Sequence, residues 1–349
     1  MPKRVLLIIS FFIIILSTFS VTAEASVNRD TLGLENSFDP DYNKLLQPEF
    51  VLKAKYEFDA EDCASRFSVR NSRIGFKGVV TSFFSYKAVV ELSSDGEFQV
   101  LDLYGKFTPF ERLSIILGQN SVPIFNSYTT SPAALSFANR PFIGKYILST
   151  RDLGINIVYR IKEKGFPIAI EAGAYNGGGI NNPLWVNPPT FGGRLLFGSM
   201  ENGLRTTAKV YRTSAIEERD YLIWGWDIRY KRDRFKIEAE IMDRYNYFDE
   251  RDLFASYIQS TYRFECNGKI FNGIEPALRW DAMGYDFLDN GFGVNRITAG
   301  LNFIVNVKKL NALFRVDYEQ YFKRDDLAEF NENDEMDNNK LTFEFLISF

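Results

Sequence analysis

The chain contains no histidine. That removes every mechanism needing an imidazole base and every His-ligated metal site. Ser-His-Asp and Cys-His nucleophilic catalysis are excluded with it, while carboxylate-pair hydrolysis survives this filter. Cysteine is scarce, with only Cys63 and Cys266. After residue 25 no apolar run is long enough to span a bilayer as a helix. The net charge is −4, so the total shows no nucleic-acid footprint. The expectation is a chain with no catalytic, cofactor-binding or metal residues, no cofactor, and no nucleic-acid partner.

What is abundant is aromatic. Phe, Trp and Tyr make up 16% of the chain, yet the mean hydropathy is −0.17, too polar for a helical membrane protein. That combination suits a transmembrane barrel, whose strands alternate lipid-facing with water-facing residues and carry aromatic girdles. The first residues read as an export signal. Lys3 and Arg4 precede an apolar stretch from about Val5 to Phe19, and Ala23-Glu24-Ala25 forms a small-residue cleavage site. The expected division is a signal peptide at 1–25, a flexible periplasmic leader at 26–49 and a barrel at 50–349.

Alternation recurs along the barrel region. Trp224, Trp226, Ile228 and Tyr230 oppose Asp227 and Arg229. Phe235, Ile237, Ala239 and Ile241 oppose Lys236, Glu238 and Glu240. Leu310, Ala312, Phe314, Val316 and Tyr318 oppose Asn311, Arg315, Asp317 and Glu319. One face is apolar and the other charged, as strands between lipid and a wet lumen require. About sixteen such segments are expected in an all-β, transmembrane antiparallel β-barrel. In the final segment Leu341, Phe343, Phe345, Ile347 and Phe349 share one face, with Thr342, Glu344 and Ser348 on the other. Phe345, Ile347 and Phe349 resemble the signal read by the bacterial barrel-assembly machinery, an expected partner alongside outer-membrane lipid.

The connections between segments fall in two phases. Those expected at 81–83, 108–112, 161–166, 199–203, 231–234, 265–273 and 305–309 are short. The others include the long stretches 120–150, 176–190, 282–295 and 322–340. Short periplasmic turns and longer outer loops alternate this way in barrels. The phasing sets Cys63 and Cys266 at opposite ends of an apolar band about 25 Å tall, so no intramolecular disulfide is expected.

Two features bear on transport. Between Ser68 and Arg73 the apolar and charged faces exchange, which predicts a β-bulge near Asn71–Ser72 with Arg66, Arg70, Arg73 and Lys77 all facing the lumen. The connection Asn120–Thr150 carries Pro123, Pro132 and Pro141 with several aromatics, too apolar for a free surface loop. It is expected to fold into the pore as the third outer loop and bring Arg140, Lys145 and Arg151 to a constriction. A basic lining of this kind attracts anions.

The stretch Arg66-Phe-Ser-Val-Arg-Asn-Ser-Arg-Ile-Gly-Phe-Lys-Gly78 resembles the phosphate-selective porin O and P family in its Bacteroidota-like form. So do Gly118-Gln119 with Val122-Pro123, Ser131-Pro-Ala133, Phe137-Ala-Asn-Arg-Pro141 and Arg151-Asp-Leu-Gly154. The resemblance covers about 50 to 349. It implies a sixteen-stranded homotrimeric barrel passing anions such as phosphate, with selectivity residues at Arg66, Arg70, Arg73 and Arg140. The chain lacks the dense lysine and arginine enrichment of a highly phosphate-selective pore. The expected function is an outer-membrane porin, a passive channel for small hydrophilic solutes. The competing readings are a His-independent hydrolase built on an outer-membrane barrel and a secreted glycan-binding β-protein.

Overall fold

The structure, a computed structural model, describes residues 45–92, 96–125, 132, 135–163, 165–199, 202–266, 268, 270–307, 310–324, 336 and 338–348. The expected signal peptide, most of the expected leader, Phe349 and most of the loop 324–339 lie outside the described residues.

Alternation of the kind seen in the sequence produces sixteen barrel strands. They are β1 (Gln47–Asp59), β2 (Ser65–Ser68 continued by Arg73–Thr81), β3 (Phe84–Leu92), β4 (Phe98–Phe110), β5 (Leu113–Ser121) and β6 (Arg151–Lys162). Then follow β7 (Ile168–Tyr175), β8 (Thr190–Gly198), β9 (Gly203–Arg212), β10 (Tyr221–Arg232) and β11 (Phe235–Asn246). The last are β12 (Arg251–Tyr262 continued by Phe264–Glu265), β13 (Gly273–Tyr285), β14 (Val294–Val307), β15 (Leu310–Lys323) and β16 (Lys340–Ser348). Every strand pairs antiparallel with its chain neighbours, and β16 pairs back onto β1, from Val51↔Ser348 to Asp59↔Lys340, which closes the sheet. Closure leaves no free edge. Among the described residues two single-turn helices interrupt the pattern, α1 (Ile143–Tyr146) and α2 (Phe287–Asn290). Among the described residues no helix is long and apolar enough to cross a membrane; the strands make the crossing.

The first strand begins at Gln47, earlier than the expected residue 50. Its extension pairs with β2 alone, Gln47↔Lys77 to Phe50↔Ile74. Pro48 is tolerated there because the side facing β16 carries no ladder at that level.

The exchange of faces in β2 has a clear structural cause. Lys55 pairs with Ser68 and Val51 with Arg73, so the three residues Leu52–Ala54 face the four residues Val69–Ser72. The extra residue is a bulge. Asn71 adopts φ 65°, and Ser72 Oγ accepts from the Lys53 amide at 3.0 Å.

The connections sort by rim. On the rim that holds both strand termini they are short, for example 82–83, 111–112 and 233–234. On the other they include 122–150, 176–189 and 324–339, which marks it as the outer mouth. Cys63 lies in the first outer connection, and Cys266 lies in a connection of the opposite rim; both are free thiols.

Outward positions are apolar and exposed, including Ile74, Ile157, Leu278, Ile297, Phe314 and Phe345. Inward positions are charged and buried, among them Lys53, Arg279, Asp281, Arg315 and Glu344. A soluble sandwich would place its apolar faces in a shared core; here they point away from the enclosed space. The secreted soluble reading therefore fails on the fold.

The third outer loop enters the lumen with its described residues, 122–125, 132 and 135–150. Its Val122, Ile124, Phe125, Phe142, Ile143 and Ile147 are buried in an apolar cluster inside the barrel. The wall supplies Tyr211, Ile223, Met242, Leu253, Met283 and Val294, all near the outer ends of β9 to β14. Met336, from the last outer connection, joins the same cluster.

Candidate functional site: a basic cavity in the lumen

Beyond the apolar anchor, the loop is held by its backbone. Arg315 NH2 donates to Leu135 O (2.6 Å), Asn302 Nδ2 to Ser136 O (3.0 Å), and Lys53 Nζ to Ala138 O (2.8 Å). Arg279 NH1 donates to Asn139 O (2.9 Å) and Arg296 NH2 to Arg140 O (2.8 Å). Loop amides donate in return, Ala138 N to Asp317 Oδ2 (2.6 Å) and Phe142 N to Asp281 Oδ2 (3.0 Å). Cationic side chains meet carbonyls and carboxylates meet amides, so both partners of each buried bond are satisfied. The chain from Leu135 to Phe142 is thus fixed against β13, β14, β15 and β1.

The loop and the wall across from it enclose a cavity of about 170 Å³. Arg66 and Arg70 reach it from β2 and its bulge, and Arg140 and Lys145 from the loop. Lys53, Arg296 and Lys340 complete the basic lining, while Glu57 is the one carboxylate among the described lining residues. Glu57 Oε2 accepts from Arg66 Nε at 2.8 Å. Lys145, on α1, is pulled down to about 7 by burial and then by the nearby charges of Arg70, Lys340 and Arg296, against a smaller opposing effect of Glu319. Crowding of like charge around a small, partly desolvated space is the condition under which an anion is drawn in.

The cavity gathers four of the residues expected from the sequence: Arg66, Arg70, Arg140 and Lys145. It does not gather Arg73, Lys77 or Arg151. Arg73 Nε pairs with Glu91 Oε2 at 2.5 Å on β3, and Lys77 Nζ pairs with Glu49 Oε1 at 2.8 Å toward the inner rim. Arg151, nearly fully buried, pairs with Asp102 Oδ1 at 3.2 Å on β4. In each case a carboxylate on the neighbouring strand, or for Arg151 on the next but one, holds the cation to the wall. Lys53 and Lys340 did not emerge from the sequence. Lys53 was findable, because Val51, Lys53, Lys55 and Glu57 alternate with Leu52, Ala54, Tyr56 and Phe58. Phe345 and Ile347 of the expected assembly signal lie on the outward side of β16, with Phe345 opposite Ala54 of β1 and Phe314 of β15.

The rest of the inner wall is a lattice of matched charge. Arg296 bridges Asp281 (2.7 Å) and Glu319 (3.0 Å), and Arg315 pairs with Glu344 (2.8 Å). Arg194 pairs with Glu171 (2.6 Å), and Lys209 with Asp227 (2.8 Å) and Glu240. Among the described residues no group of histidine, cysteine or carboxylate side chains could hold a metal ion.

An apolar exterior, a charged interior and an in-folded third loop define a multi-pass β-barrel of the bacterial outer membrane. No family model matches the sequence, and a comparison with curated proteins returns no match. Solved structures do match. OmpF of Salmonella typhi, in complex with daunomycin, has a TM-score of 0.62 at 14% identity, covering 87% of this chain and 97% of that one. The anion-selective porin from Comamonas acidovorans has a TM-score of 0.60 at 11% identity, covering 87% and 99%. The trimer form of OmpT, an outer membrane protein of Vibrio cholerae, has a TM-score of 0.56 at 12% identity, covering 87% and 99%. At these identities the likeness carries the fold.

Proposed function

We propose that this barrel is a porin, a passive channel for small hydrophilic solutes that favours anions. The observation that carries the reading is the cavity between the third loop and β2, where seven cationic side chains and one carboxylate stand among the described lining residues. A cation-lined constriction with low-dielectric walls raises the local concentration of anions and lowers that of cations. Phosphate is one anion of suitable size, and the resemblance of residues 66–78 to porins O and P supports it. The likeness to an anion-selective porin and to a trimer form supports anion preference and a homotrimer. A signal peptide at 1–25, a periplasmic leader up to β1 and recognition of the last strand by the assembly machinery belong to the same reading.

The test is the reversal potential of the purified protein in planar bilayers under a salt gradient. Arg66→Ala/Arg70→Ala/Arg140→Ala should shift it toward cation preference while stepwise conductance persists. Unchanged anion selectivity in that variant would remove the cavity as the selectivity element. Absence of conductance from correctly inserted protein would overturn the porin reading.

A further inference from the structure

Many arginines of the inner wall are paired with acids. Arg73, Arg151, Arg194, Arg279, Arg296 and Arg315 each have a carboxylate within 4 Å. Arg244, on the inward face of β11 near the outer mouth, has none among the described residues. Its NH1 donates to the carbonyls of Tyr146 and Ile147 at the end of the third loop, both at 2.9 Å. Its guanidinium lies 4.6 Å from the ring centre of Tyr221. Its Nε is buried and makes no hydrogen bond. Carbonyls and a ring face solvate the charge without neutralising it, and an uncompensated, partly buried cation is costly.

Arg244 lines a second cavity, of about 320 Å³, opening at the outer mouth between the ends of β10, β11, β12 and β13. Volumes of this order suit small organic ligands. Its apolar lining comprises buried Leu253, the Tyr285 ring and the exposed Phe248 ring. Of the other two arginines at the site, Arg251 already pairs with Asp286 at 3.0 Å and covers the Tyr285 ring, and Arg219 is exposed at the rim. The exposed carboxylates of Glu218 and Asp249 stand at the rim. A ligand carrying two or more negative charges would meet them, whereas a single charge can settle against Arg244 alone.

We infer that this cavity is a recognition subsite for organic monocarboxylates with a short apolar body. The carboxylate completes the missing ion pair of Arg244, and the alkyl or aryl body rests on Leu253, Tyr285 and Phe248. The site is separate from the basic cavity, and its occupancy does not depend on anion selectivity there. Because Arg244 also holds the end of the third loop, a bound carboxylate touches the element that narrows the lumen.

The experiment is saturation-transfer NMR on the full barrel in detergent, with valerate as the probe and valeramide and inorganic phosphate as comparisons. Transfer to the valerate alkyl protons is expected, with none to valeramide and no displacement of valerate by equimolar phosphate. Arg244→Gln should weaken valerate binding by roughly tenfold, the scale of one charge-assisted hydrogen bond. Phe248→Ala, on an exposed ring that takes no part in the barrel ladder, should weaken it by a smaller factor and leaves the fold intact. Arg66→Ala/Arg70→Ala should leave it unchanged. Equal transfer to valeramide, displacement by phosphate, loss of binding in the Arg66/Arg70 variant, or full binding in both Arg244→Gln and Phe248→Ala would overturn the assignment.

Discussion

Arg296 reaches across from β14 and donates to the carbonyl oxygen of Arg140, 2.8 Å away, so one arginine sets the position of another. The first is itself fixed, held by Asp281 and Glu319 and packed 4.6 Å from the ring centre of Phe142. Replacing Arg296 with Gln removes its ion pairs and leaves buried Asp281 and Glu319 with only the longer ion pairs to Arg279, at 3.5 and 3.7 Å. The expected cost is about 3–5 kcal/mol of barrel stability, with a larger and noisier single-channel conductance as the loop loosens. Urea unfolding and single-channel recording check the two halves of this expectation. A variant as stable and as quiet as the parent would show that the loop does not depend on this contact.

Lys145 gives the basic cavity a pH dependence. Its pKa near 7 is depressed by burial and by Arg70, Lys340 and Arg296, with Glu319 opposing. Below that value the side chain is charged, and above it neutral. Anion selectivity should therefore be greater at pH 6 than at pH 8, with the change centred near neutrality. Lys145→Met should hold selectivity at its high-pH level throughout. Reversal potentials across this range decide the point, and a profile identical in the two proteins would exclude Lys145 as its source.

Lys209 sits almost without solvent between Asp227 and Glu240. Lys209→Met leaves two buried carboxylates side by side. We expect a loss of about 3–5 kcal/mol, part of which returns in Lys209→Met/Glu240→Gln. Urea titrations of the two variants measure the difference. Equal stability of the single and double variants would mean that the repulsion is relieved elsewhere.

The outward face answers to lipid. Leu278, mid-strand on β13, is 56% exposed in the isolated chain and opposite Ala299. Leu278→Arg should cost about 2–4 kcal/mol in a bilayer, while Thr298→Arg, on the inward side, meets a different environment entirely. Folding titrations into lipid vesicles would register the first effect directly. A neutral result would argue against burial of this face in the membrane.

Much of the wall was legible in advance because period-2 alternation is a local signal. Each expected segment coincides with a strand, and the bulge in β2 was visible as a slip in that alternation between Ser68 and Arg73. Less legible was which inward cations remain available. Arg73 and Arg151 are held by Glu91 and Asp102, and such partners follow from register between strands, not from spacing along one. The wall that receives the third loop left a fainter trace. At the start of β10, Tyr221-Leu-Ile-Trp224 is apolar on both faces, because Ile223 packs against the loop and not against water. Arg244 left no trace at all. Its distinction is that no carboxylate among the described residues comes within 4 Å of its guanidinium, which no run of residues encodes.

The bulge in β2 has a consequence for inheritance as much as for mechanics. Four residues lie in a gap sized for three, so the two halves of the strand keep opposite parity. Deleting one residue from 69–72 would leave three residues facing Leu52–Ala54, a regular ladder in which Arg66, Arg73 and Lys77 all keep their inward side. A single deletion within either regular half would instead shift the residues beyond it to the other face, sending cations toward lipid and apolar side chains toward the lumen. In an outer connection such as 176–189 the same deletion shortens a loop and leaves the ladder in phase. Tolerance to single-residue loss is therefore set here by counting, and these four positions are where it should be highest along the strand.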